Sequence, residues 1–551
     1  MILMQGQGVS KGIAKGRLHF IRRADMRVVK SSGRDPAAER ARLAQAQAAA
    51  VAQLYALAAR CLQSGGAEMA ALFETHAMLV EDEDYQAYIA EVMAKENCSA
   101  EYAVQAAGER FAGMFTGMDD EYLQARSADV RDVTRRILAN LMGVAEDCAA
   151  PDKPVILAAD DLAPSETIQL DRTKLLALVT QGGSCSSHTA ILARTLGIPA
   201  VCGVGTALRA EYEGRMVCVD GESGQVVLEP DEPTLALLQE KQARQLEYMR
   251  VLQTLRGKED VTLDGRRLSI CCNIGSPGEA AAVLENDGHG VGLFRSEFLY
   301  LAADDYPDEE AQFAAYRSVA EAMKGKRVVI RTMDIGADKQ VDYFHMPREE
   351  NPALGVRAIR ISLKRPELFR TQLRAVYRAS AYGRIAVLFP MITAVWEVRA
   401  CRRACRSVMA ELAQEGLPFD SRMEIGVMIE TPASVFIARE LAREVDFFSV
   451  GTNDLTQYIL ACDRQANGLG EYFDPHHPAV LRALKAAADA AHEAGIWIGI
   501  CGDLAADTEL LPTFLAMGID ELSVPPSAVL PLRAAIRSSR AADSGLDKLE
   551  C

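Results

Sequence analysis

Two groups of residues in this sequence have the types and the placement for chemistry. The first is the stretch from Gln181 to Arg194, QGGSCSSHTAILAR, where glycines and small hydroxyl residues precede one of only 8 histidines in the chain. Gly182 and Gly183 predict a loop whose backbone turns freely and offers N–H groups. The apolar run after His188 predicts a helix whose positive dipole end faces that imidazole, with Gly197 and Pro199 as stop signals. An imidazole so placed can accept a phosphoryl group, and the helix end and loop amides stabilise the added negative charge. The segment alone also fits a histidine that does no more than open a helix.

The second group stands at or just past the ends of a series of short apolar runs: Arg295, Arg331, Asp334, Glu430, Asn453, Asp454, Cys501 and Asp503. Arg357 and Arg464 lie in adjoining segments. Guanidinium forks match phosphate and carboxylate oxygens two at a time. Glu430 and Asp454 are hard oxygen ligands of the kind Mg2+ takes, since that ion keeps waters and needs few carboxylates. Asn453 can donate to a phosphate. Cys501, in GICGD, can attack, bind a metal or transfer a proton, although most lone cysteines are inert packing residues. Any one of these arginines can be a solvated surface charge; the set describes a site for a small anion carrying phosphate and carboxylate.

These residues need elements to hold them. The runs at 268–274, 290–294, 327–332, 385–390, 424–430, 446–452, 496–502 and 520–524 alternate with helical patterns at 308–324, 366–380, 394–415, 434–443, 478–493 and 506–516. Strands alternating with helices over about 275 residues predict a (β/α)8 TIM barrel, with a doubly wound open sheet as the alternative. In a barrel the chemistry gathers at the C-terminal strand ends, where the second group falls. Residues 35 to 143 read as helices throughout: an Asp35-Pro36 start, a long Ala/Gln/Leu run, then 67–80, 84–95, 99–116 and 119–142. Residues 148–228 carry short β-like runs around one helix at 189–196, a small α/β domain. Residues 230–257 predict a linker helix whose broken stripe of Leu235, Leu238, Leu246, Met249 and Leu252 leans on a neighbour.

A chain of 551 residues exceeds one ordinary core and predicts several domains. Its formal charge of -16 argues against nonspecific nucleic-acid binding and anionic membranes, and suits a basic protein partner. No apolar run approaches the roughly 18 residues of a membrane span. The 13 cysteines show no zinc-type spacing, and the opening MILMQGQGVSKGIAKG lacks a signal peptide pattern, which together predict a soluble protein of the reducing cytoplasm.

Seven segments in one order, GGSCSSHTAILAR, VGLFRSEFLY, RTMDIGADK, EENPALGVRAIR, IGVMIETPAS, FFSVGTNDLTQY and ICGDLA, resemble enzyme I of the bacterial sugar phosphotransferase system, the phosphoenolpyruvate–protein phosphotransferases. The resemblance runs nearly end to end. It implies an α/β multidomain protein: a swivelling phosphohistidine domain at 1–24 and 146–229, an inserted helical bundle at 25–145, the linker at 230–257, and a barrel at 258–551 that binds phosphoenolpyruvate and dimerises. It implies that His188 is phosphorylated, that Arg295, Arg331, Asn453, Asp454 and Arg464 bind substrate, and that Glu430 and Asp454 hold Mg2+. Cys501 would protonate the enolate as pyruvate forms, with Thr167, Lys339 and Arg357 in support. The bundle would dock a small phosphocarrier protein, HPr, through Glu68, His76, Met78, Asp82 and Asp84, and the linker would act as a lever while His188 swings between barrel and carrier.

The sequence departs from the family pattern at a few points. Ser184 and Ser186 stand where a glycine and a threonine are usual, Cys185 replaces a frequent arginine, Ala337 a glycine, and Asp503 a glutamate. These bear on carrier and rate more than on reaction class. Dikinases and phosphoenolpyruvate synthases share the histidine domain and barrel but also need a large ATP-binding domain. A regulatory relay would use the same residues with a sensory domain, and a non-catalytic module would be expected to have lost some of them.

Overall fold

The strands before and after the long helical block belong to one sheet, which makes the helices an insertion between neighbouring strands. In the computed structural model, β1 (Ile2–Gln5), β2 (Gln7–Ser10) and β3 (Ile13–Phe20) join β4 (Val155–Ala159), β5 (Leu175–Thr180), β6 (Ala200–Cys202), β7 (Met216–Asp220) and β8 (Gln225–Leu228). The order is β1-β8-β7-β3-β4-β5-β6-β2, parallel from β3 to β6 and antiparallel elsewhere. The described residues are all except 22–25, 27, 32–34, 64–66, 117–120, 145–152, 161, 163–173, 184–187, 302, 304, 337–341, 348, 465–468, 470, 542–544 and 550–551. The chain divides into two units, Met1–Tyr248 and Met249–Cys551.

The insertion holds α1 (Pro36–Gln63), α2 (Ala67–Glu81), α3 (Glu83–Glu96), α4 (Ala100–Thr116) and α5 (Glu121–Met142). Its start follows the sequence signal: the Asp35 carboxylate accepts the Ala37 N–H at 3.2 Å and Pro36 opens the helix. Leu54, Phe73, Tyr85, Ile89, Val104 and Ile137 form its core. Buried Glu39 on α1 accepts the N–H of Ala100, the first residue of α4, at 2.9 Å, so one carboxylate both ties two helices and serves a helix N-terminus.

The helix Glu232–Gln253 leans on its surroundings only in part. Leu238 packs with Cys218 and Val227 of the sheet, and Gln242 donates to the Ile13 carbonyl at 2.8 Å. Leu246 and Met249 are exposed, and Leu252 is buried again. The broken apolar stripe thus leans on a neighbour as expected, with cover toward its ends and Leu246 and Met249 left exposed.

In the second unit β9 (Ser269–Ile274), β10 (Val291–Arg295), β11 (Val328–Arg331), β12 (Ile385–Phe389), β13 (Glu424–Ile429), β14 (Phe447–Val450), β15 (Trp497–Ile500) and β16 (Glu521–Val524) close into a parallel barrel, as the sequence predicted, rather than an open sheet. Inward residues Leu293, Val329, Ala386, Leu388, Met428 and Phe447 fill it. At its N-terminal end Trp497 stacks on Phe447 with ring centroids 4.3 Å apart, and the Arg327 guanidinium lies 3.8 Å over the indole. Two expected helices differ. The run at 434–443 is two short helices, Pro432–Phe436 and Ala438–Ala442, interrupted at Ile437, whose φ is -109°. The run at 506–516 is a 3-10 turn, Asp503–Ala506, then the helix Leu511–Met517, with Pro512 at its N-terminal end. Proline lacks the N–H a continuous helix would need and is tolerated only in a first turn.

Candidate active site

Because all eight strands run parallel, one rim of the barrel collects every strand's C-terminal end, and that rim carries the charges. Arg295 and Arg331 are the last residues of neighbouring strands and sit in register. They differ in bonding. Arg331 is buried, pairs with Glu297 at 2.5 Å and Asp334 at 3.2 Å, and is fixed before any ligand arrives. Arg295 is half-buried, and its guanidinium makes no ion pair or hydrogen bond among the described residues. A guanidinium in that state is a donor fork waiting for an anion.

Arg357 enters from a loop rather than from a strand. It bonds Asp334 at 3.0 Å and the Tyr458 hydroxyl at 3.2 Å, and stands 3.7 Å from Asp454. Its approach explains Gly336, which has a φ of +115° and whose absent Cβ would lie 2.5 Å from the Arg357 Cβ. Burial opposes the charge on Arg331 and Arg357, but neighbouring carboxylates outweigh it and hold both pKa values above the ordinary arginine range.

Glu430, at the end of β13, is 1% exposed. Its Oε1 accepts the backbone N–H of Met391, a residue with a φ of +57°, while its Oε2 is buried without a partner. Burial first, then Asp454 and Asp334, push its pKa up to about 8 against the pull of Arg331 and Arg357. Gly451 leaves room beside it, since a Cβ there would come within 3.0 Å of the orphaned oxygen. Two close acids with an unsatisfied oxygen fit a hard divalent cation. No group of three or more His, Cys, Asp or Glu residues among the described residues could hold a metal alone, so water and substrate would supply the other ligands.

Cys501, just beyond β15, is 3% exposed, with its Sγ 3.5 Å from the Val450 carbonyl. Burial pushes its pKa up to about 11, although the Ser449 hydroxyl, Arg331 and Arg295 pull the other way. It is therefore a protonated thiol at neutral pH. Of the three roles open to it, attack and metal ligation need a thiolate, whereas donating a proton uses the form present. Asn453 and Asp503 bond each other twice, at 3.0 and 2.9 Å. Arg464 is exposed, and its backbone N–H donates to Gln457 at 3.2 Å.

His188 is the first residue of the helix His188–Leu196, so it stands at a helix N-terminus as expected. Gly183, five residues before it, has a φ of +91°. Ser184, Cys185 and Ser186 lie outside the described residues, as do Thr167, Ala337 and Lys339. In the bundle, Glu68 belongs to the first turn of α2. Met78 is 66% exposed; Asp82 and Asp84 are exposed in the turn and first turn of α3, where Asp82 caps Tyr85 N–H at 2.8 Å. His76 corrects the expectation of an outward-facing residue. It is 1% exposed, with Nε2 3.2 Å from Asp129 and Nδ1 3.7 Å from Asp132, so its ring ties α2 to α5 inside the bundle. The burial follows from α2 presenting Phe73, His76, Ala77 and Val80 to the core at helical spacing.

The sequence reading did not single out Glu297, Met391 or Tyr458. Glu297 lies two residues past a strand end, and that position was the only signal it offered. Met391 acts through its backbone and Tyr458 through a fold contact, which no residue-type pattern marks.

Residues 250–541 match the family described as PEP-utilising enzyme, PEP-binding domain; residues 151–224 match its mobile domain and residues 5–126 its N-terminal domain. The chain is 40% identical over 98% of its length to a phosphoenolpyruvate-protein phosphotransferase of Priestia megaterium, covering 94% of that protein. It is 40% identical over 97% of its length to the protein of that name from Geobacillus stearothermophilus, covering 93% of it, and 38% identical over 99% to that of Bacillus subtilis (strain 168), covering 96%.

Proposed function

The chain belongs to the family of phosphoenolpyruvate–protein phosphotransferases, and on that premise we propose how its residues carry out the reaction. The enzyme takes the phosphoryl group of phosphoenolpyruvate onto its own histidine, His188, releases pyruvate, and passes the group to the histidine of an HPr-type carrier, the first step of a sugar phosphotransferase relay.

The observation that carries this reading is the state of the rim: an unpaired Arg295 beside a fixed Arg331, a buried acid with an orphaned oxygen, and a protonated thiol. Arg295 and Arg331 hold the phosphate, with Asn453 and Arg464 completing its cradle. Arg357 keeps Asp334 and Asp454 in place, and Lys339 and Thr167 support substrate and histidine respectively. Glu430 and Asp454 suit Mg2+, which when bound supplies positive charge to the phosphate and carboxylate oxygens. The bond between phosphorus and the enol oxygen breaks as a bond to a ring nitrogen of His188 forms. The arginines stabilise the charge left on the enolate oxygen. Cys501 then gives its proton to C3, yielding pyruvate and a thiolate that is reprotonated from solvent.

The exposed residues Met78, Asp82 and Asp84 of α2 and the turn into α3, together with Glu68, suit a basic carrier with an apolar contact point. The enzyme works as a homodimer through the barrel, where Trp396 and Phe436 expose apolar surface. The nine cysteines whose side chains are described are all free, in keeping with a reducing cytoplasm. No helix among the described residues is long and apolar enough to cross a membrane. Labelled phosphoenolpyruvate with Mg2+ should place one acid-labile phosphate on the protein, absent in His188→Ala. Labelling that persists in this variant would reject the assignment.

A further inference from the structure

Asn453 is the one proposed phosphate ligand with a neutral side chain, and an amide serves a phosphate only when its nitrogen faces it. Its oxygen and nitrogen occupy nearly the same space, so a half-turn costs no room and bonding alone decides the orientation. We propose that the 3-10 turn Asp503–Ala506 is a two-ended clamp that sets the Asn453 amide, with Asp503 acting directly and the His476–Asp507 pair holding the far end as positioning residues. The inference rests on the phosphotransferase reading and extends it to residues outside that mechanism.

The near end is reciprocal. The Asp503 backbone N–H donates to Asn453 Oδ1 at 2.9 Å, and Asn453 Nδ2 donates to Asp503 Oδ2 at 3.0 Å. A flipped amide would lose both bonds. In the observed orientation the second Nδ2 hydrogen is left for a phosphate oxygen; in the flipped one a carbonyl oxygen would face that anion. Within the turn Ala505 N–H donates to the Gly502 carbonyl, and Asp507 N–H to Leu504, each at 3.0 Å. At the far end Asp507 Oδ1 accepts Glu509 N–H at 2.8 Å, and Oδ2 meets His476 Nε2 at 2.5 Å. His476 directly precedes His477, whose ring accepts the Ala479 N–H at 3.1 Å and caps the helix Pro478–Ala494. The turn is thus tied to the amide at one end and to a barrel helix at the other.

Packing does not do this work. A cleft of about 260 Å³ opens between the two ends, lined by Thr452, Asn453, Thr456, His476, Asp503 and Asp507 among others. The buried hydroxyls of Thr452 and Thr456 have no hydrogen-bond partner. With open space beside it, Asn453 depends on its bonds to Asp503.

The test is a double-mutant cycle on the full chain, reading pyruvate formation against phosphoenolpyruvate concentration. His476→Ala and Asp507→Asn should each raise the half-saturating concentration about 3- to 10-fold and leave saturated turnover within about twofold. Binding of oxalate, which resembles the enolate without its phosphate, should be unchanged. In an Asn453→Ala background either substitution should add under about 1.5-fold, because residues acting through one partner are non-additive. An equal cost in both backgrounds, an equal loss of oxalate binding, or no effect in either background overturns the clamp. Failure of the unsubstituted protein to form pyruvate would instead reject the phosphotransferase reading on which the clamp depends.

Discussion

The barrel rim and the outer face of the helical bundle both carry acidic residues, yet they use them in opposite ways. On the rim Glu297, Asp334, Glu430 and Asp454 are buried against Arg331 and Arg357, and one of them, Glu430, is pushed far from its ordinary pKa. On α2 and α3, Asp82 and Asp84 face water beside Met78. Buried charges act strongly and locally, whereas exposed ones act weakly and at a distance. The contrast teaches that burial alone makes the same residue type a strong local charge in one region and a weak, long-range one in another.

That contrast makes a graded set of expectations. Arg331→Ala strips a buried cation from Glu297 and Asp334 and should cost on the order of 10² to 10³ in pyruvate formation, measured by single-turnover kinetics. A loss under tenfold would leave Arg331 a buried structural partner of Glu297 and Asp334 rather than a phosphate donor. Cys501→Ser should still bind phosphoenolpyruvate and make pyruvate about 10²-fold more slowly. In the unsubstituted protein the thiol stays protonated as pH rises from 7 to 9, so the protonation step should remain flat there and fail only toward pH 11. A fall centred near the ordinary thiol pKa of about 8.5 would contradict its burial.

Glu430 gives a stability signature with a definite sign. Its folded pKa, about 8, lies above its ordinary value, so the folded state binds the proton more tightly. In metal-free protein its contribution is full below about pH 4.5 and is lost as pH rises through 8. Thermal melts should show that fall, and Glu430→Gln should flatten it; a slope unchanged in the variant would mean that another group is responsible.

The bundle face should give the smallest effects. Met78→Ala should weaken carrier binding about tenfold and leave phosphorylation by phosphoenolpyruvate unchanged. Asp84→Asn should slow association only a few-fold, and less so in high salt, by stopped-flow mixing. An equal effect of Met78→Ala on carrier-free phosphorylation would remove the division of labour.

Much of this was legible in the sequence because strand ends announce themselves. Arg295, Arg331, Glu430 and Cys501 each end or directly follow an apolar run, and the closed barrel turns that one-dimensional position into a shared rim. His76, named for docking through the resemblance alone, faces inward because its partners Asp129 and Asp132 come from a distant helix, which a likeness of short segments does not reveal. Glu297 and Tyr458 went unmarked for the same reason: their roles come from pairing with Arg331 and Arg357 across the fold. The broken helix near Ile437 escaped because the apolar pattern continues through the break.

The most direct test mixes the protein with phosphoenolpyruvate and Mg2+ in the absence of carrier and counts both products of one turnover. One pyruvate per phosphorylated His188, with the label moving intact to a carrier added afterwards, is the predicted result. Pyruvate released without a matching phosphohistidine, or phosphate settled on another residue, would contradict it.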